Sequence, residues 1–265
     1  MYPTLVKFGN FEITTFGLMM FLAFVVAGWV LARQFRRYGL DPEIASSLVV
    51  AAALGGIVGA KIYYAILFGD WRLLFDRAGL VWYGGMIGAF IACSWVILRN
   101  KVDYLTAADA VAPAASLGYA VGRVGCFLVG DDYGRPTEAW YGVAFPKGAP
   151  PTTAYELRKF GAPVDPSIPD YQVLTVHPTQ LYETGMALIM FAVLMWVVRR
   201  PHRRGVAWGL FLIMLGIERF LVEIVRAKDD RIFGPFTVAQ LISVLLIVAG
   251  TVWALRRSPR VAPVT

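Results

Sequence analysis

The sequence predicts an all-α polytopic membrane protein with seven transmembrane helices, from its composition, its apolar segments and the placement of its basic residues. The chain has 265 residues, of which 58% are hydrophobic and 16% charged, with a mean hydropathy of +0.60. Soluble domains are about 45–50% apolar and about 25% charged, so a soluble domain is excluded. Two cysteines exclude a disulfide scaffold, and the net charge of +7 is interpreted as a topology signal rather than a nucleic-acid site.

Seven segments are long enough to cross a bilayer, which takes about 20 mostly apolar residues. Three of them hold no ionisable residue: 13–32, 78–98 and 232–255. The other four hold one to three charges each: 44–68, 105–127, 178–198 and 206–225.

Basic residues cluster after every second segment. The clusters are Arg33, Arg36, Arg37, Arg99, Lys101, Arg199, Arg200, Arg203, Arg204, Arg256, Arg257 and Arg260. Because Lys and Arg mark cytoplasmic loops, this bias predicts that the N-terminus lies outside and the C-terminus inside.

A long loop, 131–176, separates the fourth and fifth segments on the predicted outer side. It holds 7 of the 15 prolines and many polar and aromatic residues, so it does not span the membrane. Long loops usually carry function, and we expect this one to cover a charged site; the alternative is a simple connector. The chain is thus predicted to be one integral membrane domain, 1–265, with this outer loop inserted as a cap.

The sixth segment carries charges that a bilayer disfavours. Arg219, Glu223 and Arg226 follow an i, i+4, i+7 spacing, which places them on one helix face. Arg123, near the end of the fourth segment, is predicted at the same outer level. An Arg at the bilayer centre costs about 2.5–3.5 kcal/mol even on insertion scales, so these arginines are candidates for an anion site. The alternative is that they snorkel or form internal ion pairs.

The fifth segment opens with a second polar cluster, His177-Pro178-Thr179-Gln180-Leu181-Tyr182-Glu183. His177 is the only histidine on the predicted outer side, which makes it a candidate base, although a capping role is equally compatible. The candidate supporting residues are Asp131, Gln180, Tyr182, Glu183 and Lys61. No cluster has metal-ligand spacing, and no cofactor is predicted.

The second and third segments share a G-G-x-x-G-A pattern, at 55–60 and 84–89. Glycines four residues apart let two helices approach closely, and we favour this interpretation for the helix bodies. Gly84 and Gly85, near the outer leaflet, are also candidates for lining a lipid site.

Together these motifs resemble those of the prolipoprotein diacylglyceryl transferases of bacterial inner membranes. The matching pieces are Tyr83-Gly84-Gly85-Met86-Ile87-Gly88 and the segments 122–135, 177–183 and 219–226. The resemblance covers nearly the whole chain. It implies that a diacylglyceryl group moves from phosphatidylglycerol to the thiol of the lipobox cysteine in a prolipoprotein signal peptide. The products are a thioether and glycerol phosphate.

The resemblance also implies roles for particular residues. Arg123, Arg219 and Arg226 would bind the lipid phosphate and stabilise its departure as a monoester, while Glu223 would hold the arginines in place. The double glycine would line the lipid path, beside Tyr83. The implied partners are phosphatidylglycerol, the prolipoprotein and the bilayer, with no nucleic acid and with the site facing the periplasm.

The sequence departs from the family at the candidate base. Tyr83 stands where the family usually has His before the double glycine, and a tyrosine with a pKa near 10 is a poor acceptor of a thiol proton. Three options follow: Tyr83 with a lowered pKa, His177, or no base because the arginines lower the pKa of the thiol itself. The last two are favoured, with Tyr83 as a hydrogen-bonding residue. Alternative functions are a non-catalytic lipid- or lipoprotein-binding relative and, less favoured, an anion transporter.

Overall fold

The computed structural model describes residues 4–8, 11–75, 81–228, 231–233, 236–256 and 258–261. These residues form eight α-helices: α1 (Thr15–Arg37), α2 (Pro42–Phe68), α3 (Trp82–Arg99), α4 (Tyr104–Val129), α5 (Ala154–Lys159), α6 (Thr179–Val198), α7 (Val206–Val225) and α8 (Val238–Leu255). By length and composition, α1, α2, α4, α6 and α8 are able to cross a membrane. The chain is therefore a helical membrane protein.

The two remaining long helices differ from these five. The apolar stretch of α3, Tyr83–Arg99, is shorter than any of them, and α7 carries Glu218, Arg219 and Glu223 within its 20 residues. Consecutive long helices are antiparallel, and the long loop after α4 returns to its starting point, since Gln180 contacts Asp131. One end of the bundle, here called the loop end, holds the end of α4 and the start of α6. The other, here called the basic end, holds the ends of α1, α3 and α6 with their arginines.

Among the described residues, four short antiparallel ribbons lie outside the helices, and the all-α prediction did not include them. They pair β1 (Thr4–Phe8) with β2 (Phe11–Thr14), β3 (Val143–Ala144) with β4 (Thr175–Val176), β5 (His202–Arg203) with β8 (Arg260–Val261), and β6 (Arg231–Phe233) with β7 (Phe236–Thr237). The last ribbon also corrects the predicted segment 232–255. Its helix starts only at residue 238, because the Thr237 side chain and Gln240 cap each other's backbone N–H.

The predicted glycine packing is present between α2 and α3. A Cβ added at Gly84 would overlap the Cβ of Tyr63 and the carbonyl oxygen of Gly59, and one at Gly55 would meet Gly88. Glycine is thus required on both sides of this close approach. The helix at the centre of the bundle is α4, which packs against α1, α3, α6 and α7.

The loop between α4 and α6 has its own small core. Phe145, Leu157 and Val176 are fully buried, and the ring of Phe145 stacks on that of Tyr133 with centroids 5.8 Å apart. The loop is also attached to α7, because the N–H of Arg135 donates to the carbonyl of Val225 at 2.8 Å. This segment is therefore a folded unit resting on the loop end.

At the basic end, a buried carboxylate caps α7 from another helix. Asp109 of α4 accepts hydrogen bonds from the N–H groups of Gly205 (2.7 Å) and Trp208 (2.9 Å). Nε2 of His202 lies 3.3 Å from the same carboxylate. Gly205 has a φ of +87°, a left-handed conformation that favours glycine. We call this contact the Asp109 cap.

We expect Asp109→Asn to lower the free energy of unfolding by roughly 1–3 kcal/mol, because the amide leaves one buried N–H of the cap without an acceptor. Thermal unfolding of the purified protein measures the change. Asp41→Asn is the matched control: Asp41 caps α2 at an exposed position, where Asn caps equally well. Equal melting temperatures for the two variants would contradict this account of Asp109.

Candidate active site

Three arginines and three carboxylates form a closed ring of ion pairs at the loop end. In order round the ring, each paired with the next and the last with the first, they are Arg123, Asp132, Arg226, Glu223, Arg219 and Glu183. We call this cluster the ion-pair ring. Positive and negative members alternate, so their charges cancel.

Arg123 and Arg219 come from different helices and meet at one carboxylate. Nη1 of Arg123 donates to Oδ2 of Asp132 at 2.9 Å, and its Nη2 pairs with Glu183. Nη1 of Arg219 lies 3.6 Å from Oε1 of Glu183, and its Nη2 lies 2.8 Å from Oε2 of Glu223. Glu183, predicted only as a supporting residue, thus joins α4 to α7 through α6.

Arg226 closes the ring just beyond the end of α7. Its Nε donates to Oδ1 of Asp132 at 3.2 Å, and its Nη1 lies 3.7 Å from Oε2 of Glu223. Glu223 therefore contacts both Arg219 and Arg226, as their spacing on one helix face predicted.

A tight turn after α4 positions Asp132. Gly130 ends the helix with a φ of +75°, and Asp132 itself has a φ of +54°. Asp is among the residues that adopt this region most readily. The start of α6 holds the turn, because Thr179 Oγ1 donates to the carbonyl of Asp132 at 2.8 Å and the Gln180 amide donates to the carbonyl of Asp131. Burial raises the pKa of the Asp131 carboxyl.

Three residues of this site were not among the predicted ones: Asp132, Tyr119 and Glu218. The hydroxyl of Tyr119 lies 3.2 Å from Oε1 of both Glu183 and Glu218, next to the ion-pair ring. The spacing of Tyr119 four residues before Arg123 was the available signal, since it places both on one face of α4. For Asp132, the signal was its position directly after Asp131.

His177 lies two residues before Thr179, which bonds to Asp132 of the ion-pair ring, and its side chain sits within an aromatic group. Its Nδ1 is 3.2 Å from the hydroxyl of Tyr182, and its ring is 6.0 Å from that of Tyr141. The carbonyl of His177 accepts the N–H of Gly134, where a Cβ would lie 2.6 Å from the carbonyl oxygen of Val225. Burial lowers the pKa of His177 below its usual value, so its ring is neutral at pH 7.

The other predicted residues lie on the adjoining pair of helices. Tyr83 is half-buried in the first turn of α3, and Lys61 is half-buried on α2. Gly84 and Gly85 face α2 in the close glycine contact, and their predicted role in lining a lipid path stays a prediction. Within the described part of the chain, no three His, Cys, Asp or Glu side chains are arranged to hold a metal.

An apolar cavity of about 420 Å³ leads away from Arg123. Its walls come from α1 to α4, with Tyr119, Gly122 and Arg123 near the ring and Leu31 and Val111 at the far extreme. On α1 the lining runs from Phe16 to Leu31, which is roughly 22 Å of helix. The cavity thus has one end at an arginine of the ion-pair ring and a long apolar body.

Fold and site together define a helical membrane protein with an arginine-based site at one end of its bundle and an apolar cavity beside it. Residues 3–256 match the sequence profile of the prolipoprotein diacylglyceryl transferases. The chain belongs to this family.

Curated relatives agree with this assignment. A phosphatidylglycerol–prolipoprotein diacylglyceryl transferase of Chromohalobacter salexigens is 33% identical, over 97% of this chain and 93% of its own length. Enzymes of the same name from Stenotrophomonas maltophilia and Geobacter sulfurreducens are 32% and 31% identical, over 98% and 97% of this chain and 94% and 96% of their own lengths.

Proposed function

We propose that this protein transfers the diacylglyceryl group of phosphatidylglycerol to the thiol of the lipobox cysteine in a prolipoprotein signal peptide. The observation that carries the proposal is the junction of the ion-pair ring with the apolar cavity at Arg123. A phospholipid has the matching shape, with an anionic phosphate joined to long acyl chains. Family membership points to the same reaction.

The arginines suit the charge change in this reaction. The thiolate attacks the glyceryl CH₂ carbon and forms a C–S bond. The bond between that carbon and the ester oxygen of the phosphate breaks. The leaving glycerol phosphate takes up a second negative charge as the bond breaks. Arg123, Arg219 and Arg226 are fixed by carboxylates before the reaction, so they stabilise this growing charge without reorganising. The nucleophile belongs to the second substrate, so the enzyme needs none.

We propose that the loop end faces the periplasm in the bacterial inner membrane, with α3 and α7 as two further spans and the N-terminus outside. Three exposed tryptophans support this orientation, each with an arginine over its ring at the basic end: Trp29 with Arg33, Trp95 with Arg99 and Trp196 with Arg200. Trp is typical of membrane interfaces, and Arg of the cytoplasmic side. The loop 131–176 then caps the site within one integral domain.

The direct test uses purified protein, labelled phosphatidylglycerol and a lipobox peptide. We expect a thioether-linked diacylglyceryl peptide and one glycerol phosphate released per product. A peptide with Ser in place of the lipobox Cys is the control and should give no product. A folded protein that binds both substrates without forming a thioether would contradict the proposal and indicate a non-catalytic relative.

For the proton of the thiol, we infer that His177 is the acceptor. It is neutral at pH 7, and Tyr182 orients its ring. We expect His177→Ala to lower kcat/KM at pH 7 by roughly 10²–10⁴-fold. Because the pKa of His177 is lowered, the wild-type rate should fall only below about pH 6.5, where the ring becomes charged.

Tyr83→Phe tests the alternative that Tyr83 accepts the proton of the thiol. If His177 is the acceptor, the hydroxyl of Tyr83 only donates or accepts a hydrogen bond. We then expect Tyr83→Phe to keep most of the activity and the same fall of the rate at acid pH. If His177→Ala keeps the wild-type rate and the rate of both proteins rises towards pH 8.5, ionisation of the thiol alone explains the profile.

A further inference from the structure

Asp132 differs from the other two carboxylates of the ion-pair ring. The side chains of Glu183 and Glu223 are 1% and 0% exposed and lie on helices, whereas that of Asp132 is 30% exposed and lies on a turn. Of the three carboxylates, Asp132 is therefore the one that an approaching anion can reach.

The two oxygens of Asp132 bridge two arginines. Oδ2 accepts from Arg123 and Oδ1 accepts from Arg226, so one carboxylate fills the gap between two guanidinium groups. A phosphodiester carries the same single negative charge on two non-bridging oxygens. It therefore accepts the same hydrogen bonds from the same two arginines.

The charge balance requires an exchange at this position. Ring members alternate in sign, so a further anion gains little while all three carboxylates are in place. With Asp132 withdrawn, the remaining three arginines and two glutamates leave one net positive charge for the ligand. Burial opposes ionisation of Asp132, but Arg226 and Arg123 hold its pKa well below the usual range. Asp132 thus stays charged at physiological pH, and an anion must displace it.

We propose that Asp132 occupies the lipid-phosphate position between Arg123 and Arg226 in the substrate-free enzyme and is displaced when phosphatidylglycerol binds. This inference rests on the proposed function for the identity of the lipid. Asp132 is a positioning residue: it keeps the two arginines apart at the spacing of a bridging anion. After the reaction it returns to the gap and assists release of glycerol phosphate.

The test compares binding of glycerol phosphate and of inorganic phosphate by wild type and Asp132→Asn, with isothermal titration calorimetry on the full-length protein. If Asp132 is out of the gap in only about a tenth of the molecules, replacing it by Asn raises the apparent affinity for both phosphates about tenfold. KM for phosphatidylglycerol should fall with it, while kcat stays equal or falls as product release slows. Asp132→Glu, which keeps the charge, should restore wild-type affinity.

Asp132→Gly is a second neutral variant, and its backbone suits the φ of +54° at this position. Asp170→Asn is the matched control, because Asp170 pairs with Arg158 on the same loop outside the ring. It should leave both affinities unchanged.

Unchanged or weaker phosphate binding in folded Asp132→Asn and Asp132→Gly would overturn the inference. The binding measurement needs no catalysis, so its outcome is separate from that of the transferase assay.

Discussion

Arg123→Ala is expected to abolish diacylglyceryl transfer, with a loss of at least roughly 10²–10³-fold in kcat. Arg123 joins the ion-pair ring to the apolar cavity, so its removal takes a cation from the phosphate and leaves Asp132 and Glu183 with one arginine each. Arg219→Ala should have a similar effect through Glu183 and Glu223. The rate of thioether formation under saturating lipid measures both.

Arg123→Lys separates charge from geometry. Lysine keeps the charge but lacks the planar fork that reaches two carboxylates at once, so we expect only partial recovery. Arg99→Ala is the control, since Arg99 is exposed at the basic end over Trp95 and should leave the rate unchanged. Full activity in Arg123→Ala would exclude the phosphate role assigned to the ring.

Glu183→Ala is expected to have the largest effect on stability. Glu183 is buried on α6 and is the shared partner of Arg123 and Arg219, so its loss leaves two partly buried guanidinium groups short of a counter-charge. Breaking a buried ion pair from one side costs about 3–5 kcal/mol, against a total stability of about 5–15 kcal/mol for a typical protein. Thermal unfolding in detergent measures this loss.

Glu156→Ala is the matched control for Glu183. Glu156 forms an i, i+3 pair with the largely exposed Lys159 on the loop helix α5, and such pairs contribute less than about 1 kcal/mol. Glu183→Gln keeps the size of the side chain but not its charge, so its melting temperature should lie between those of Glu183→Ala and Glu156→Ala. If Glu183→Ala melted like Glu156→Ala, the ring would not be a structural element.

The charges of α7 were predictable from the sequence because helical spacing is strictly periodic. Arg219 and Glu223 lie on one face of α7 as expected, and Arg226, which follows the last helical residue, still pairs with Glu223. Counting antiparallel segments was enough to predict that Arg123 lies at the same end of the bundle as these charges. Membership of the prolipoprotein diacylglyceryl transferase family followed from local motifs, which the profile match confirms.

Other features depend on contacts that the sequence pattern does not encode. Asp132 reaches Arg226 only because the turn after α4 takes positive φ at Gly130 and again at Asp132. Glu183 was placed on the correct helix, but its position between two arginines depends on how α6 packs against α4 and α7. The ribbons have two to five residues per strand, too short for an alternating pattern to emerge.

The Asp109 cap has a consequence for the distant end of the bundle. Fourteen residues separate Asp109 from Arg123 on α4, and fourteen separate Gly205 from Arg219 on α7. The two helices run parallel, so each rises roughly 21 Å from a common origin. The cap thus sets a common reference level for both helices. By fixing the start of α7 to one point on α4, it brings two arginines from distant parts of the chain to the same height in the helix bundle.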